Sequence, residues 1–213
     1  MTRILRTEDW FHPDGFPIVV QRREPQEPFG MHAHEFSELV IVTGGHGIHI
    51  TEDESWPLMA GDVFVINDRR PHDYENMENL SLINIMYLPD QLQMPVVDLN
   101  SLSGYHALFS LEPMWRTRHR FRSRLHLGGR ELSTVIDMAD RLDEELSRRR
   151  PGFGLMSLSW LMQIFGYLSR CYAKSTHPDS KSLLRIADAI VFMEKHFTEE
   201  ISLEQIAGIA CMA

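Results

Sequence analysis

A chain of 213 residues that is 43% hydrophobic and 24% charged can bury a substantial core, which excludes a disordered protein. No stretch approaches the roughly 20 consecutive apolar residues of a membrane-spanning helix, and the opening MTRILRTEDWFHPDG carries no apolar signal-peptide segment. The net charge of -9 opposes a phosphate backbone, so these residues do not read as a nucleic-acid binder on their own; Cys171 and Cys211 fit inert thiols in a reducing cytoplasm.

Residues 1–17, with Trp10 and Phe11 among polar neighbours, read as an N-terminal arm able to fold over a ligand. From residue 18 to 88, Gly, Pro, Asn and Asp punctuate short apolar or alternating runs, the texture of consecutive β-strands. The spacing predicts strands at 18–21, 38–43, 47–51, 62–66 and 80–87, with turns at Gly44-Gly45, 52–54 and Ala60-Gly61 and a loop at 67–71. Short strands without a helical period between them imply an antiparallel sandwich or barrel. Residues 102–109 and 121–127 carry enough apolar side chains for short packed elements, and the Arg-rich run 115–124 reads as a solvated segment paired with the acidic surplus.

Beyond residue 129 the period becomes helical. Leu132, Val135, Ile136, Ala139, Leu142 and Leu146 recur at spacings of three and four, which predicts an amphipathic helix ended by Pro151-Gly152. The segment 155–173 is apolar around most of its circumference and needs cover on more than one side. That excess predicts a homodimer contact at Leu161, Ile164, Phe165 and Leu168, joined by Leu142 and Leu146 from the preceding helix. Residues 175–182 read as a polar linker, 183–197 as a further helix, and Ser202 with Gln205 as a capping box that starts a last helix at Leu203 and runs it to Ala213.

Chemistry concentrates in two places. His32, His34 and Glu38 approach one strand, where residues of like parity share a face, and His72 follows another. Three neutral imidazoles and a carboxylate suit zinc, iron, manganese or nickel with a coordination position left open. The same residues could instead line a polar pocket, or sit in a surface loop, without any metal. Trp56, Phe64, Tyr74 and Tyr87 are candidate walls, though each also suits plain core.

The pattern His32-x-His34-x3-Glu38-x6-Gly45, then Gly61-x5-Asn67 and on to His72-x3-Asn76, resembles the paired motifs of the cupin superfamily, small antiparallel β-barrels. It departs from them where Gln26 replaces the leading glycine and where Asn67 and Arg69 replace the Pro and Gly of the second motif. In cupins the four matched ligand positions bind the metal, which the resemblance carries to His32, His34, Glu38 and His72.

Barrel, then Leu111–Pro113, then paired helices ending in Leu-Ser-Arg-Cys-Tyr (168–172), then Ile-Ser-Leu-Glu-Gln-Ile-Ala (201–207) is an order that resembles the AraC family of bacterial transcription regulators, and the similarity to its rhamnose-responsive members is clearest in His34–Val42 and Gly47–His49. The resemblance implies an α+β chain: an arm at 1–17, a cupin-like jelly-roll barrel at 18–128 that binds an effector, an antiparallel helix pair for dimerisation at 129–174, a linker at 175–182, and the start of a helix-turn-helix DNA-binding domain at 183–213. The recognition helix and a second helix-turn-helix unit are not among these residues, so operator DNA would be met only through them.

The expected function is a cytoplasmic, ligand-responsive regulator whose barrel holds a small polar effector such as a sugar, touched by His32, His34, Glu38 and His72 directly or through a metal. A metal-dependent cupin enzyme, an isomerase or a dioxygenase, is the alternative from a different class. A dimerisation module without an effector is the third.

Overall fold

The computed structural model describes residues 2–52, 54–67, 69–94, 96–115 and 124–211. They fall into two compact units, Met1–Gln93 with His126–Ile164 and Met94–Leu125 with Phe165–Ala213. The division passes inside one long helix instead of following the expected boundaries at 128 and 174.

The first unit opens with β1 (Arg3–Leu5) and a one-turn helix, α1 (Thr7–Trp10). Then come β2 (Ile18–Arg23), β3 (His32–His34), β4 (Ser37–Thr51), β5 (Ser55–Met59), β6 (Asp62–Ile66) and β7 (His72–Tyr87). Hydrogen bonds order them β1-β3-β7-β4-β6, with β2 also on β7 and β5 on β4. Among these strands only β1 and β3 pair in parallel.

Cross-strand partners in an antiparallel sheet point to the same face, so the register sorts the side chains into rows. Val19, Met86 and Glu38 form one row, Gln21, Asn84 and Val40 the next, and Arg23, Leu82 and Val42 the third. All lie on the inner face of the barrel. Beside them Val40, Val42, Leu58, Phe64, Ile66, Tyr74, Leu80 and Leu82 make one apolar cluster, each large side chain contributing ~1.5–3 kcal/mol by leaving water. The alternate residues Leu39, Ile41, Val63, Val65, Ile83 and Ile85 face outward and are buried there as well. Strands covered on both faces lose the apolar–polar alternation that makes parity legible in a sequence.

Two expected strands, 38–43 and 47–51, are one. β4 runs through Gly44 and Gly45 while staying paired with β7, its register slipping at Val42/Gly44, Gly44/His46 and His46/Ile48. Gly45 has φ +66°, and a Cβ there would come within 2.2 Å of the Asn79 carbonyl oxygen. The glycines therefore mark a bulge, which bends a long strand around the barrel. β7 likewise begins at His72, eight residues before the expected start at Leu80, through Asn76 and Asn79 in the left-handed region. At the Ala60-Gly61 turn, Gly61 has φ +99° and its carbonyl accepts a hydrogen bond from the Leu127 N–H at 2.8 Å.

The arm is structured. β1 lies along β3, and Phe11 packs with Leu5, Phe36 and Met86. In the second unit α2 (Val96–Asn100), α3 (Ser103–Tyr105), a π-helical stretch (His106–Leu111) and α4 (Glu112–Trp115) occupy part of the segment where only short elements were expected. Tyr105, Phe109 and Phe165 stack there at 4.6–6.2 Å between ring centres. Most of the Arg-rich run, 116–123, lies outside the described residues.

Back in the first unit, α5 (Gly129–Arg148) ends where Arg149 adopts φ +46° ahead of Pro151. α6 (Phe153–Ala173) follows, and Arg141 of α5 lies over the Trp160 ring at 5.3 Å. In the second unit α7 (Pro178–Lys195) starts five residues before the expected Leu183, taking in residues 178–182 of the expected linker: Pro178 opens the helix, the His177 Nδ1 caps the Asp179 N–H at 3.3 Å, and Ser180 is buried. α8 (Leu203–Ile209) has the expected Ser202–Gln205 capping box but stops short of the expected Ala213.

The expected dimer contact is corrected. Leu142, Leu161, Ile164 and Leu168 are 0% exposed and Phe165 is 1% exposed within a single chain, and Leu146 is half-buried. Their apolar surface is spent inside the chain; on α6 the exposed large apolar side chains are Leu155 and Met156. Leu161→Ala is expected to cost ~2–5 kcal/mol of folding stability, read by urea denaturation, and to leave the sedimentation coefficient unchanged. A change in association state at wild-type stability would restore the dimer assignment.

Candidate functional site

β3, the start of β4 and the start of β7 bring four side chains to one region of the inner face. His32 stands opposite His72 in the β3–β7 register, and His34, two residues on, shares its face. The His34 Nε2 lies 3.2 Å and the His72 Nε2 3.7 Å from the Glu38 Oε2. The His32 and His72 ring centres are 4.3 Å apart. All four residues are 8% exposed or less. One ligand atom each from His34, Glu38 and His72 lies within 4.8 Å of the others, while His32 flanks this triad.

Each imidazole is held by a backbone carbonyl two residues away. The Nδ1 atoms of His32, His34 and His72 lie 2.8, 2.5 and 3.2 Å from the carbonyl oxygens of Gly30, Phe36 and Arg70. A carbonyl only accepts, so each Nδ1 carries the hydrogen and a neutral ring presents a bare lone pair at Nε2. For His34 and His72 that lone pair faces the Glu38 oxygen. Two electron-rich atoms this close repel unless a cation, proton or metal ion, stands between them. In agreement, the buried His34 Nε2 has no hydrogen bond among the described residues.

Burial pushes His72 down to about 3, against the pull of the Glu38 carboxylate, and burial also lowers His32. Burial drives Glu38 upward, but a proton on the His34 side, donated as a hydrogen bond, and positive charge at His34, His72 and His32 outweigh it and hold the carboxyl below its ordinary range, as a cation among these groups does. At neutral pH His72 is a neutral donor and Glu38 an anion.

An open cleft lies beside this group, bounded by Leu5, Trp10, Gln21, Arg23, Gln26, Phe29, His32, His34, Phe36, Glu38, Asn84 and Met86, with about 40 Å³ of enclosed space. Its aromatic walls are Trp10, Phe29 and Phe36, none of them among the four expected. Phe64, Tyr74 and Trp56 surround the buried ring of His49 at 4.6–5.1 Å, in the apolar interior. Tyr87 shares the outward parity of Ile85 and Ile83, so it lies on the opposite face from Asn84 and Met86. His49, not among the expected site residues, stands opposite Tyr74 in the β4–β7 register with its ring centre 5.5 Å from that of His72, a neighbourhood that only the strand pairing reveals.

Comparison with known proteins adds to this. The family model described as AraC-like ligand binding domain matches residues 17–146. The HTH-type transcriptional activator RhaR of Klebsiella pneumoniae is 32% identical over 148 residues, covering 68% of this chain and 48% of that protein. RhaR of Pectobacterium atrosepticum is 31% identical over 179 residues, covering 84% and 58%. The chain thus spans about half the length of the curated relatives it matches. Among solved structures, ToxT of Vibrio cholerae aligns over 92% of this chain and 71% of its own at 10% identity and a TM-score of 0.46. A cupin-2 protein of Shewanella frigidimarina aligns over 33% and 68% at 24% identity and 0.28.

The buried histidine makes stability fall with acid. His72 binds a proton less readily folded than unfolded, so with a chelator present stability is retained above its unfolded value of ~6.5 and lost as pH falls toward about 3, at up to ~1.4 kcal/mol per pH unit. Urea titrations across that window should show a shallower pH slope for His72→Gln. An unchanged slope would contradict the assignment.

Proposed function

The chain belongs to the family of AraC-like ligand-binding domains, and on that premise we propose that it is the sensor region of a ligand-responsive transcription regulator rather than an enzyme. Its effector is a small polar molecule, a sugar or a related metabolite, bound in the cleft of the first unit. The observation that carries this reading is the combination of an open cleft with convergent polar groups along one wall: His32, His34, Glu38, Gln21, Arg23 and Asn84. Effector binding regulates transcription through different affinity for two arrangements of the chain, and operator contact belongs to a complete helix-turn-helix domain. Pairing with a second copy, which would match paired half-sites, is part of the proposal through surfaces other than the buried side chains of α6.

The residues fit a divalent metal. Ligand atoms ~2.1 Å from a common ion lie ~3.4 Å apart in a tetrahedron, and the observed 3.2 and 3.7 Å separations bracket that value. The orphaned His34 Nε2 and the carbonyl-fixed Nδ1 atoms are the arrangement that metal-ligating histidines need. His34, Glu38 and His72 would hold the ion, with His32 beside them. Zinc, nickel, iron or manganese bound there would supply a Lewis-acidic point that grips an effector oxygen. The protein's own share is to fix the three rings, keep Glu38 ionised and screen the group from bulk water with Phe36 and Met86.

Elemental analysis of untagged protein loaded with zinc or nickel is expected to give about one equivalent at neutral pH and less than about a tenth in Glu38→Gln. Equal content in both proteins would leave these residues as a polar pocket that meets the effector directly.

A further inference from the structure

We propose that the effector is an acidic, polyhydroxylated carbon chain of about five or six carbons, a sugar acid, with its carboxylate on Arg23. This rests on the cleft being the effector site.

The three inner rows carry the argument. The first row holds Glu38 at the histidine group, the second holds Asn84 and Gln21, and the third holds Arg23. Arg23 stands four residues along β2 from Val19, the β2 member of the Glu38 row, so ~13 Å of strand separates the two ends. The cleft is therefore polar along its length and graded in charge, with an anion at one end and a cation at the other.

Arg23 is half-buried and has no carboxylate partner among the described residues. Its guanidinium donates to the Gln21 Oε1 at 2.6 Å and lies 5.9 Å from the Trp10 ring centre. Those two contacts hold the fork at the cleft wall without neutralising it. By contrast Arg22, the next residue on the other face of β2, is engaged by Glu24, Asp140 and Asp143. A planar guanidinium held in this way suits a carboxylate, which it can meet with two parallel N–H···O bonds.

Asn84 supplies the second, independent observation. It is 9% exposed, its Oδ1 is buried, and that oxygen has no hydrogen-bond partner among the described residues. A buried carbonyl-type oxygen on a cavity wall calls for a donor, and a ligand hydroxyl is one. Glu38 stands at the far end of the rows from Arg23, ~13 Å away along the strand, so a carboxylate held on Arg23 is kept apart from it.

The test is a thermal-shift and calorimetric panel of pentonates, hexonates and hexuronates, each paired with its neutral parent sugar, against the 213-residue chain. At least one acid should bind while its neutral parent binds about 10- to 100-fold more weakly, and Arg23→Gln should weaken that acid by a similar factor while Arg23→Lys retains part of the preference. Arg23→Gln leaves the histidine–carboxylate group intact, so its metal content reports that the barrel is folded. A neutral sugar that binds as tightly as its acid, or an acid that binds Arg23→Gln undiminished, overturns the acid assignment and leaves the sensor reading standing. A panel in which no acid binds also overturns it, and the metal assay then judges the sensor site separately.

Discussion

Three backbone carbonyls decide what the barrel presents to a ligand. By accepting from the Nδ1 atoms of His32, His34 and His72, the carbonyls of Gly30, Phe36 and Arg70 leave each Nε2 bare. Two of those lone pairs converge on a carboxylate buried with them, an arrangement that is stable only with a cation between them. Every other feature of the site serves that convergence: the His32–His72 pairing that brings two strands together, the parity that turns His34 with His32, and the burial that keeps His72 neutral.

The same wall has a second part that no charge cluster reveals. β2 docks on β7 so that Gln21 and Arg23 fall in line with Asn84, extending the polar strip away from the histidines. The arm then contributes Trp10 to one side of the cleft and Phe11 to the core beneath it. The cleft wall is thus drawn from an arm, an edge strand and the barrel interior.

Much of this was legible in the sequence for a local reason. The spacing of His32, His34 and Glu38 needs only an extended chain to put them together, and the structure gathers His72 beside them as well. β6 lies where the alternation and turn residues predicted it, at Asp62–Ile66. What escaped depends on register. Gly44 and Gly45 look like a turn until β7 is known to run alongside them, and Tyr87 looks like a cleft wall until its parity with Ile85 turns it outward. The α6 residues Leu161, Ile164, Phe165 and Leu168 were rightly seen as too apolar for one contact, but the chain covers them itself. Arg23 and Asn84 carry no motif; only their rows join them to the site.

The central claim is the fixed tautomer, and a two-bond ¹H–¹⁵N spectrum of the imidazole rings at neutral pH with a chelator tests it most directly. The account predicts that His32 and His72 resonate as Nδ1–H tautomers, with His72 remaining neutral to well below pH 6. Nε2–H signals for these two rings would contradict it, because their lone pairs would then point at backbone carbonyls and away from the site.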